Sequence, residues 1–549
     1  MEEESLISHP FSVPTTLFTS ALLLLLLLLL SLLFFFFKAR ASSKPKAHYR
    51  LPPSPMGLPV VGHLHLLRAP IHRALHRLTL RHGPLIHVRL GSTLCVAAAT
   101  ADLARDLLKT HDAAFSDRPQ TIAARHFAYD SAAFAFAPYG PYYRFMRRLC
   151  MLELLGSRTV DQLRPIRHAE VAALLRTLLE KSKRREPVNL SWEVIRLTNN
   201  EVTRMAASTT SSAVGGEAEE ARELVKQVAE LIGAFNLEDY IGFCRGWDPQ
   251  GLSKRMRDVH ARFDGLLERI IKGKEEARRS KKKKNSNREG GEEDDDGVVK
   301  DVLDILLDVA EDEKAEMKLS RENIKGFIMD IFTAGSDSSA ASIEWALAEI
   351  LNHPRVLQKL RQEIDQVVGN GRIVDETDLP NLPYLQAAVK ETLRLHPPAP
   401  IIHRQATRDV TVEGYVIPAG TALFVNVWSV GRDPKYWEDP SEFRPERFVD
   451  DRAVVDMRGQ HFQLIPFGSG RRGCPGMTLA LQAVPVAVAA LMQCFDWEVS
   501  GESCGSNSGS GREEKGTLVD MEEGIGLVSA RAHPLILVPV PRLDPFPEI

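Results

Sequence analysis

The hydrophobic pattern is most uneven at the N-terminus. Leu17 to Phe37 is a run of 21 uncharged residues that includes nine consecutive leucines and four consecutive phenylalanines. As a helix this run is about 30 Å long, the thickness of a bilayer's hydrocarbon core. Its length favours a retained anchor over a removed signal peptide. Glu2, Glu3 and Glu4 precede it, and Lys38, Arg40, Lys44, Lys46 and Arg50 follow it. Basic residues are retained on the cytoplasmic side. The pattern therefore predicts a short luminal tail (1–16), one transmembrane signal-anchor helix (17–37) in the endoplasmic reticulum membrane, and a body facing the cytosol. The glycosylation sequon at Asn189 would then stay out of reach of the luminal machinery.

Residues 38–62 combine the basic flank with "LPPSPMGLPVVG", whose four prolines fix φ and stiffen the chain. They read as a hinge that orients the body. From residue 63 to 549 the periodicity is mostly helical. "HRALHRLTLRHG" is amphipathic and stops at Gly83, and longer helices are predicted over 162–182, 219–234, 253–279 and 322–351. The last of these is apolar on most faces and should sit in the middle of a core. Short strands are predicted at "PLIHVRLG", "LCVAAA", "VTVEGYVIPAG" and "TALFVNVWSVG", with a terminal hairpin in "GLVSARAHPLILVPVP". The charge-segregated stretch 273–297 and the Gly/Ser-rich stretch 501–516 read as flexible surface insertions. The expected fold class is mainly α with small β-sheets.

Composition narrows the function classes. A formal net charge of −3 in 549 residues leaves no electrostatic footprint for nucleic acid. The six cysteines are scattered, without the density of a disulfide scaffold or the spacing of a zinc site.

One cysteine stands apart. Cys474 lies in "LIPFGSGRRGCPGMTLA", among glycines and arginines and just before a helix-forming run. The spacing of Phe467, Gly470, Arg472, Cys474 and Gly476 resembles the haem-binding signature of the cytochromes P450. That resemblance implies haem b (heme; iron protoporphyrin IX) with Cys474 as its axial thiolate, a ligand that pushes electron density toward bound oxygen. It further implies that Arg472 holds a haem propionate, that Phe467 packs beside the macrocycle, and that glycines including Gly476 let backbone N–H groups face the sulfur.

Three other stretches carry the same resemblance. Glu391 and Arg394 of "KETLRLHPP", with Arg447 of "PERF", match the family's structural Glu-Arg-Arg cluster. "AGSDSS" places Asp337 and Ser338 where the family's central helix carries an acid and a hydroxyl for proton delivery. Serine replaces the usual threonine and lacks the methyl that restrains the rotamer, while Gly335 is expected to leave space for O₂. In "PYGPYYRFMRRL", Tyr143 and Arg147 stand where tryptophan and arginine usually reach the propionates, and Arg404 fits a further propionate contact.

Within the family the chain is similar to plant microsomal members, in particular the branch with flavone synthase II, flavanone 2-hydroxylase, isoflavone synthase and a triterpene hydroxylase. Isoflavone synthases typically carry leucine and lysine where this chain has Ala399 and His403. The resemblance implies an NADPH- and O₂-dependent monooxygenase that oxidises flavanones at C2, with isoflavonoid, other flavonoid or triterpene hydroxylation as alternatives. NADPH–cytochrome P450 reductase is the expected electron donor, since nothing in the chain resembles a flavin or nicotinamide site. Phe127, Phe332, Ala334, Ala399, Ile401 and Leu527 match the family's substrate-facing segments.

Overall fold

A helix with apolar side chains on most faces is stable only when other elements surround it, and Arg321–Asn352 organises the molecule in that way. The computed structural model describes residues 15–42, 50–207, 217–286, 300–449, 455–499 and 519–548. In it this central helix runs for 32 residues from a Ser320 N-cap. The Ser320 hydroxyl accepts from the Asn323 N–H, and the Asn323 side chain accepts from the Ser320 N–H. His353 ends it, and Pro354 starts the next helix, Pro354–Val367, where a missing N–H costs nothing. The predicted span, 322–351, is right to one residue at each end.

Four helices pack round it: Leu190–Ala207, Pro354–Val367, Pro383–Leu395 and Met477–Cys494. Met477–Cys494 is apolar and long enough to cross a membrane by composition, yet every residue from Val484 to Cys494 is buried, so it is a core helix. A second apolar cluster joins Pro141–Leu149, Glu217–Gly233, Leu252–Ser286 and Val302–Glu311 to the first half of the central helix.

The β-structure is small. Strands β1 (Leu85–Leu90) and β2 (Thr93–Ala98) form a hairpin, while β3 (Val188–Asn189) belongs to another sheet. β4 (Ile401–Gln405) is followed by the hairpin β5 (Val410–Val412) and β6 (Tyr415–Ile417), and then by β7 (Ala422–Asn426). The main sheet runs β1-β2-β7-β4, with β2 and β7 parallel and the other pairs antiparallel. The proline hinge is fastened to its edge. The Pro53 carbonyl accepts from the His87 N–H at 2.9 Å, and the His87 ring meets the Pro52 carbonyl at 2.6 Å.

Two expectations are corrected. The predicted terminal hairpin does not form as one. Ile536–Pro541 (β9) pairs with Phe495–Val499 (β8) and with β3, because the end of the buried helix Met477–Cys494 delivers β8 beside it. Residues 273–286, expected in a flexible insertion, continue the helix Leu252–Ser286. Lys274 there contacts Asp301 and Asp304 at 2.5 and 2.7 Å, and Arg278 contacts Asp308 at 2.5 Å, so part of the basic block has acidic partners on Val302–Glu311 and its N-cap. Residues 287–297 and 501–516, the rest of the expected insertions, lie outside the described residues.

The N-terminal unit, ending at Arg50, holds the helix Thr15–Ser42. Its apolar segment Thr19–Phe34 has every leucine from Leu22 to Leu33 exposed by 49–68%. The sequon asparagine has a structural task, since the Asn189 side chain accepts from the Trp192 N–H at 3.0 Å.

The Glu-Arg-Arg cluster is a charge network with a fully buried Glu391–Arg394 pair at its centre. Arg394 makes a bidentate pair with Glu391 at 2.7 and 2.8 Å, both side chains having no exposed surface. The remaining guanidinium hydrogens go to the carbonyls of Gly431 (2.6 Å), Pro440 (2.7 Å) and Glu442 (3.0 Å). Glu391 also accepts from Arg447 Nε at 3.1 Å and from the Arg444 N–H at 2.9 Å. The cluster thus ties Pro383–Leu395 to the irregular chain that leads to Cys474. Removing one partner strands the other's charge, so Glu391→Ala is expected to destabilise the fold by about 3–5 kcal/mol. Scanning calorimetry of wild type and variant would show it as a drop in Tm, and an unchanged Tm would contradict the bracing role.

Candidate active site

Cys474 sits on a loop whose geometry depends on two glycines. Gly468 and Gly470 have φ of 72° and 71°, in the left-handed region. A Cβ at Gly470 would lie 2.6 Å from the Leu108 carbonyl and 2.7 Å from Asp112 Oδ1. The loop closes on itself through the Cys474 N–H, which donates to the Phe467 carbonyl at 2.8 Å, and Phe467 packs its ring against the main core cluster. Gly476 needs no special φ. Its N–H points at the Cys474 sulfur, and a Cβ there would sit 3.9 Å from Sγ. Burial pushes the Cys474 thiol up, while that N–H and the nearby Arg147 and Arg118 pull it down.

Cys474 is deep in the molecule and still has accessible surface. His403 shows the same combination, and Ala334 is exposed on an otherwise buried stretch of the central helix. These residues therefore face an internal hollow. Arg118 lies close enough to feel both Asp330 of the central helix and Cys474.

The arginines expected at the haem are gathered at this hollow, and their backbone bonds fix the loop. Arg147 Nη1 donates to the Gly473 carbonyl at 2.6 Å, and Arg404 Nη2 donates to the Arg472 carbonyl at 3.1 Å. Arg472 is buried. Its Nε donates to the Ser116 carbonyl at 2.7 Å and its Nη2 to the Ala137 carbonyl, whereas Nη1 has no partner. Burial, with Arg118 adding to it, lowers Arg404 to about 9 and Arg472 to about 10. The nearest carboxylate to Arg472 is Asp117, at 3.9 Å. Tyr143 is placed differently from expectation. Its hydroxyl donates to the Arg471 carbonyl at 2.9 Å, so its one hydrogen is spent on the loop, and its ring lies 3.7 Å under the Arg472 guanidinium and stacks on Phe134.

On the central helix, the Ser338 hydroxyl donates to the Ala334 carbonyl at 2.7 Å. That bond supplies the restraint a threonine methyl would have given, and it leaves the oxygen's lone pairs free to accept. Burial raises the Asp337 carboxyl, and the exposed Lys226 lowers it. Gly335 is corrected: a Cβ there would meet Val202 Cγ2 at 3.0 Å, so the glycine permits close packing on Leu190–Ala207. Among the expected substrate contacts, Ala334 and Ala399 are exposed and Ile401 is partly so. Phe127 and Phe332 are buried in the second core cluster, and Leu527, 43% exposed, lies against Gly233.

Sequence reasoning missed Arg118, Asp330 and Asp112. Asp112 pairs with Arg471 at 2.9 Å. Arg118 and Asp112 are isolated charges in irregular chain and Asp330 is a single charge on the apolar central helix, so no local signal marked them. The group Asp520, Glu522 and His533 also brings potential ligand atoms together, with Glu522 and His533 exposed. It contains no thiol and is separate from the hollow.

These observations fit an iron protoporphyrin. The hollow offers a sulfur ligand tempered by an N–H, a rim of cations short of carboxylate partners with one orphaned guanidinium nitrogen, and a helix bearing a small residue, a hydroxyl and an acid.

The cytochrome P450 family model matches residues 52–516. A cytochrome P450 93G1 of Oryza sativa subsp. japonica is 58% identical over 502 residues, covering 91% of this chain and 92% of its own. A 3,9-dihydroxypterocarpan 6A-monooxygenase of Glycine max is 49% identical, covering 91% and 94%. A 2-hydroxyisoflavanone synthase of Glycyrrhiza echinata is 44% identical, covering 93% and 95%. A solved zebrafish cytochrome P450 with progesterone superposes with a TM-score of 0.69 at 22% identity, over 86% of this chain and all of that one. With its cysteine loop, its buried Glu-Arg-Arg network and these plant relatives, the chain belongs to the cytochrome P450 family of haem-thiolate monooxygenases.

Proposed function

We propose that the protein oxidises flavanones at C2, giving the 2-hydroxyflavanone or the flavone, at the cytosolic face of the endoplasmic reticulum. The observation that carries the substrate reading is the character of the hollow beside Cys474. Ala334 and Ala399 are small, and His403 is held neutral, its imidazole lowered to about 4 by burial with Arg118 and Arg404 adding to the effect. A neutral imidazole both donates and accepts, which suits the carbonyl and phenolic hydroxyls of a flat aromatic substrate. Relatives named 3,9-dihydroxypterocarpan 6A-monooxygenase and 2-hydroxyisoflavanone synthase support a flavonoid-type substrate. The fully exposed apolar helix ahead of the body supports a single-pass anchor, because leucines left open by 49–68% need an apolar medium.

Bound haem supplies reductive activation of O₂ and transfer of one oxygen atom to a C–H bond. The protein's part is to hold it and handle protons. Cys474 Sγ would ligate the iron, with the Gly476 N–H and neighbouring guanidinium charges placed to stabilise its thiolate. Arg472, with its free Nη1, and Arg404, Arg147 and Arg118 supply positive charge for the propionates. Phe467 and Tyr143 hold the loop, by packing and through the Arg471 carbonyl. Ser338 delivers a proton once its hydroxyl turns from the Ala334 carbonyl, and Asp337, within the field of the exposed Lys226, is the group that resupplies it. Each turnover consumes one O₂, one NADPH and one proton. Hydroxylation releases one water, and desaturation releases two. The two electrons enter through NADPH–cytochrome P450 reductase as partner.

With the chain in microsomes alongside a plant reductase, naringenin and NADPH, the product is expected to gain one oxygen atom and lose water in mild acid, or to lose two hydrogen atoms directly. The first outcome identifies C2 hydroxylation and the second identifies desaturation. No product despite a normal reduced-CO spectrum would overturn the flavanone assignment. Cys474→Ser should abolish the absorption of the thiolate-ligated CO complex together with activity. Ser338→Ala and Asp337→Asn should each leave that spectrum intact while product per NADPH consumed falls by about 10²-fold; unchanged coupling in both would remove these residues from proton delivery.

A further inference from the structure

A second cavity, of about 310 Å³, lies apart from the residues of the haem site. Its walls come from the helices Arg164–Ser182, Leu190–Ala207 and Met477–Cys494 and from the segment 372–376. They are largely aliphatic, with Val171, Leu175, Val374 and Val486 all buried. The exposed His168 and Glu548 mark its solvent side.

Among the described residues, the buried charges around it are matched with one exception. Arg167 is spent on a bidentate pair with Glu376, both bonds 2.6 Å. Arg372 is spent on Asp378, both bonds 2.7 Å, and Asp375 faces Arg164 at 3.6 Å. Glu170, next along the first helix, is held by Asn200 and Arg204. Glu201 is left over. It lines the cavity and is 6% exposed, and among the described residues its carboxyl accepts no hydrogen bond and has no ion-pair partner within 4.0 Å. A buried carboxyl without a partner is expensive, and here the direction in which it is open is the cavity.

We propose that this cavity binds an organic ammonium ion with an aliphatic body, the cationic head paired with Glu201 and the chain laid along Val171, Leu175 and Val486. A cation is favoured over an anion because the buried group left open to the cavity is a carboxyl, while the cavity's guanidiniums are already engaged by Glu376 and Asp378. Burial pushes the Glu201 carboxyl up to about 8, against a smaller opposing pull from Arg167. Below that pH the group carries a proton, which binding releases to solvent. Affinity therefore rises as pH increases through about 8 and falls as it decreases.

The test is calorimetric titration of the purified holoenzyme with hexyltrimethylammonium, 1-hexanol and hexanoate, with the haem Soret band followed in parallel. A quaternary head has no lone pair for iron, so binding here leaves the Soret band unmoved. The expected result is saturable heat with the ammonium, affinity at least tenfold weaker in Glu201→Gln and increasing with pH, and no binding of hexanoate. Ala172→Phe, which fills the cavity and leaves Glu201 in place, should abolish binding while the reduced-CO spectrum stays normal. The proposal is overturned by absence of saturable heat with wild type, by equal affinity in Glu201→Gln, by hexanol binding as tightly as the ammonium, or by a Soret shift that tracks the heat.

Discussion

A sulfur atom that carries negative charge inside a protein needs compensation from every side, and the body from Leu51 onward is arranged around that need at Cys474. The Gly476 N–H supplies one dipole, and Arg118 and Arg147 supply field without contact. None of these groups is held by its own loop alone. Arg147 comes from a helix more than 300 residues upstream and grips the Gly473 carbonyl, while Arg404 reaches from β4 to the Arg472 carbonyl. The Glu391–Arg394 network then fixes the chain that enters the loop. Loop, sheet and core helices are thereby parts of one electrostatic support, which explains why so many buried arginines donate to backbone carbonyls.

What was readable from sequence follows from how local each constraint is. The cysteine loop was legible because its residues act within a dozen positions, where spacing encodes geometry. The central helix was legible because a long, apolar stretch with a capping serine and a following proline has one comfortable conformation. Glu391 and Arg394 were legible as a pair one turn apart, and their full burial was not. Direction was illegible. Nothing local shows that Gly335 faces Val202, that the Tyr143 hydroxyl turns to the Arg471 carbonyl, or that Phe127 and Phe332 serve the core. Those outcomes depend on which element lies opposite. The stretch 273–286 misled for a related reason: like charges read as solvated chain until Asp301, Asp304 and Asp308 are brought beside them.

The two cavities show opposite uses of buried charge. Beside Cys474, guanidiniums gather in excess of carboxylates and call for an anionic ligand. Beside Glu201, pairing is complete apart from one acid, and the deficit has the other sign. Met477–Cys494 begins just past Cys474 and lines the second cavity through Ala483 and Val486, so one buried helix borders both.

The stitching of the proline hinge to β1 also sets a load path. Tension arriving at Leu51 meets the Pro52 and Pro53 carbonyls held by His87, and so enters the main sheet at its edge strand. To disturb Arg404 on β4 at the far edge, that pull would have to shear the ladder through β1, β2 and β7, breaking many hydrogen bonds together rather than one at a time. A pull on the chain ahead of Leu51 thus meets two hydrogen bonds to His87 before it meets the ladder that carries Arg404.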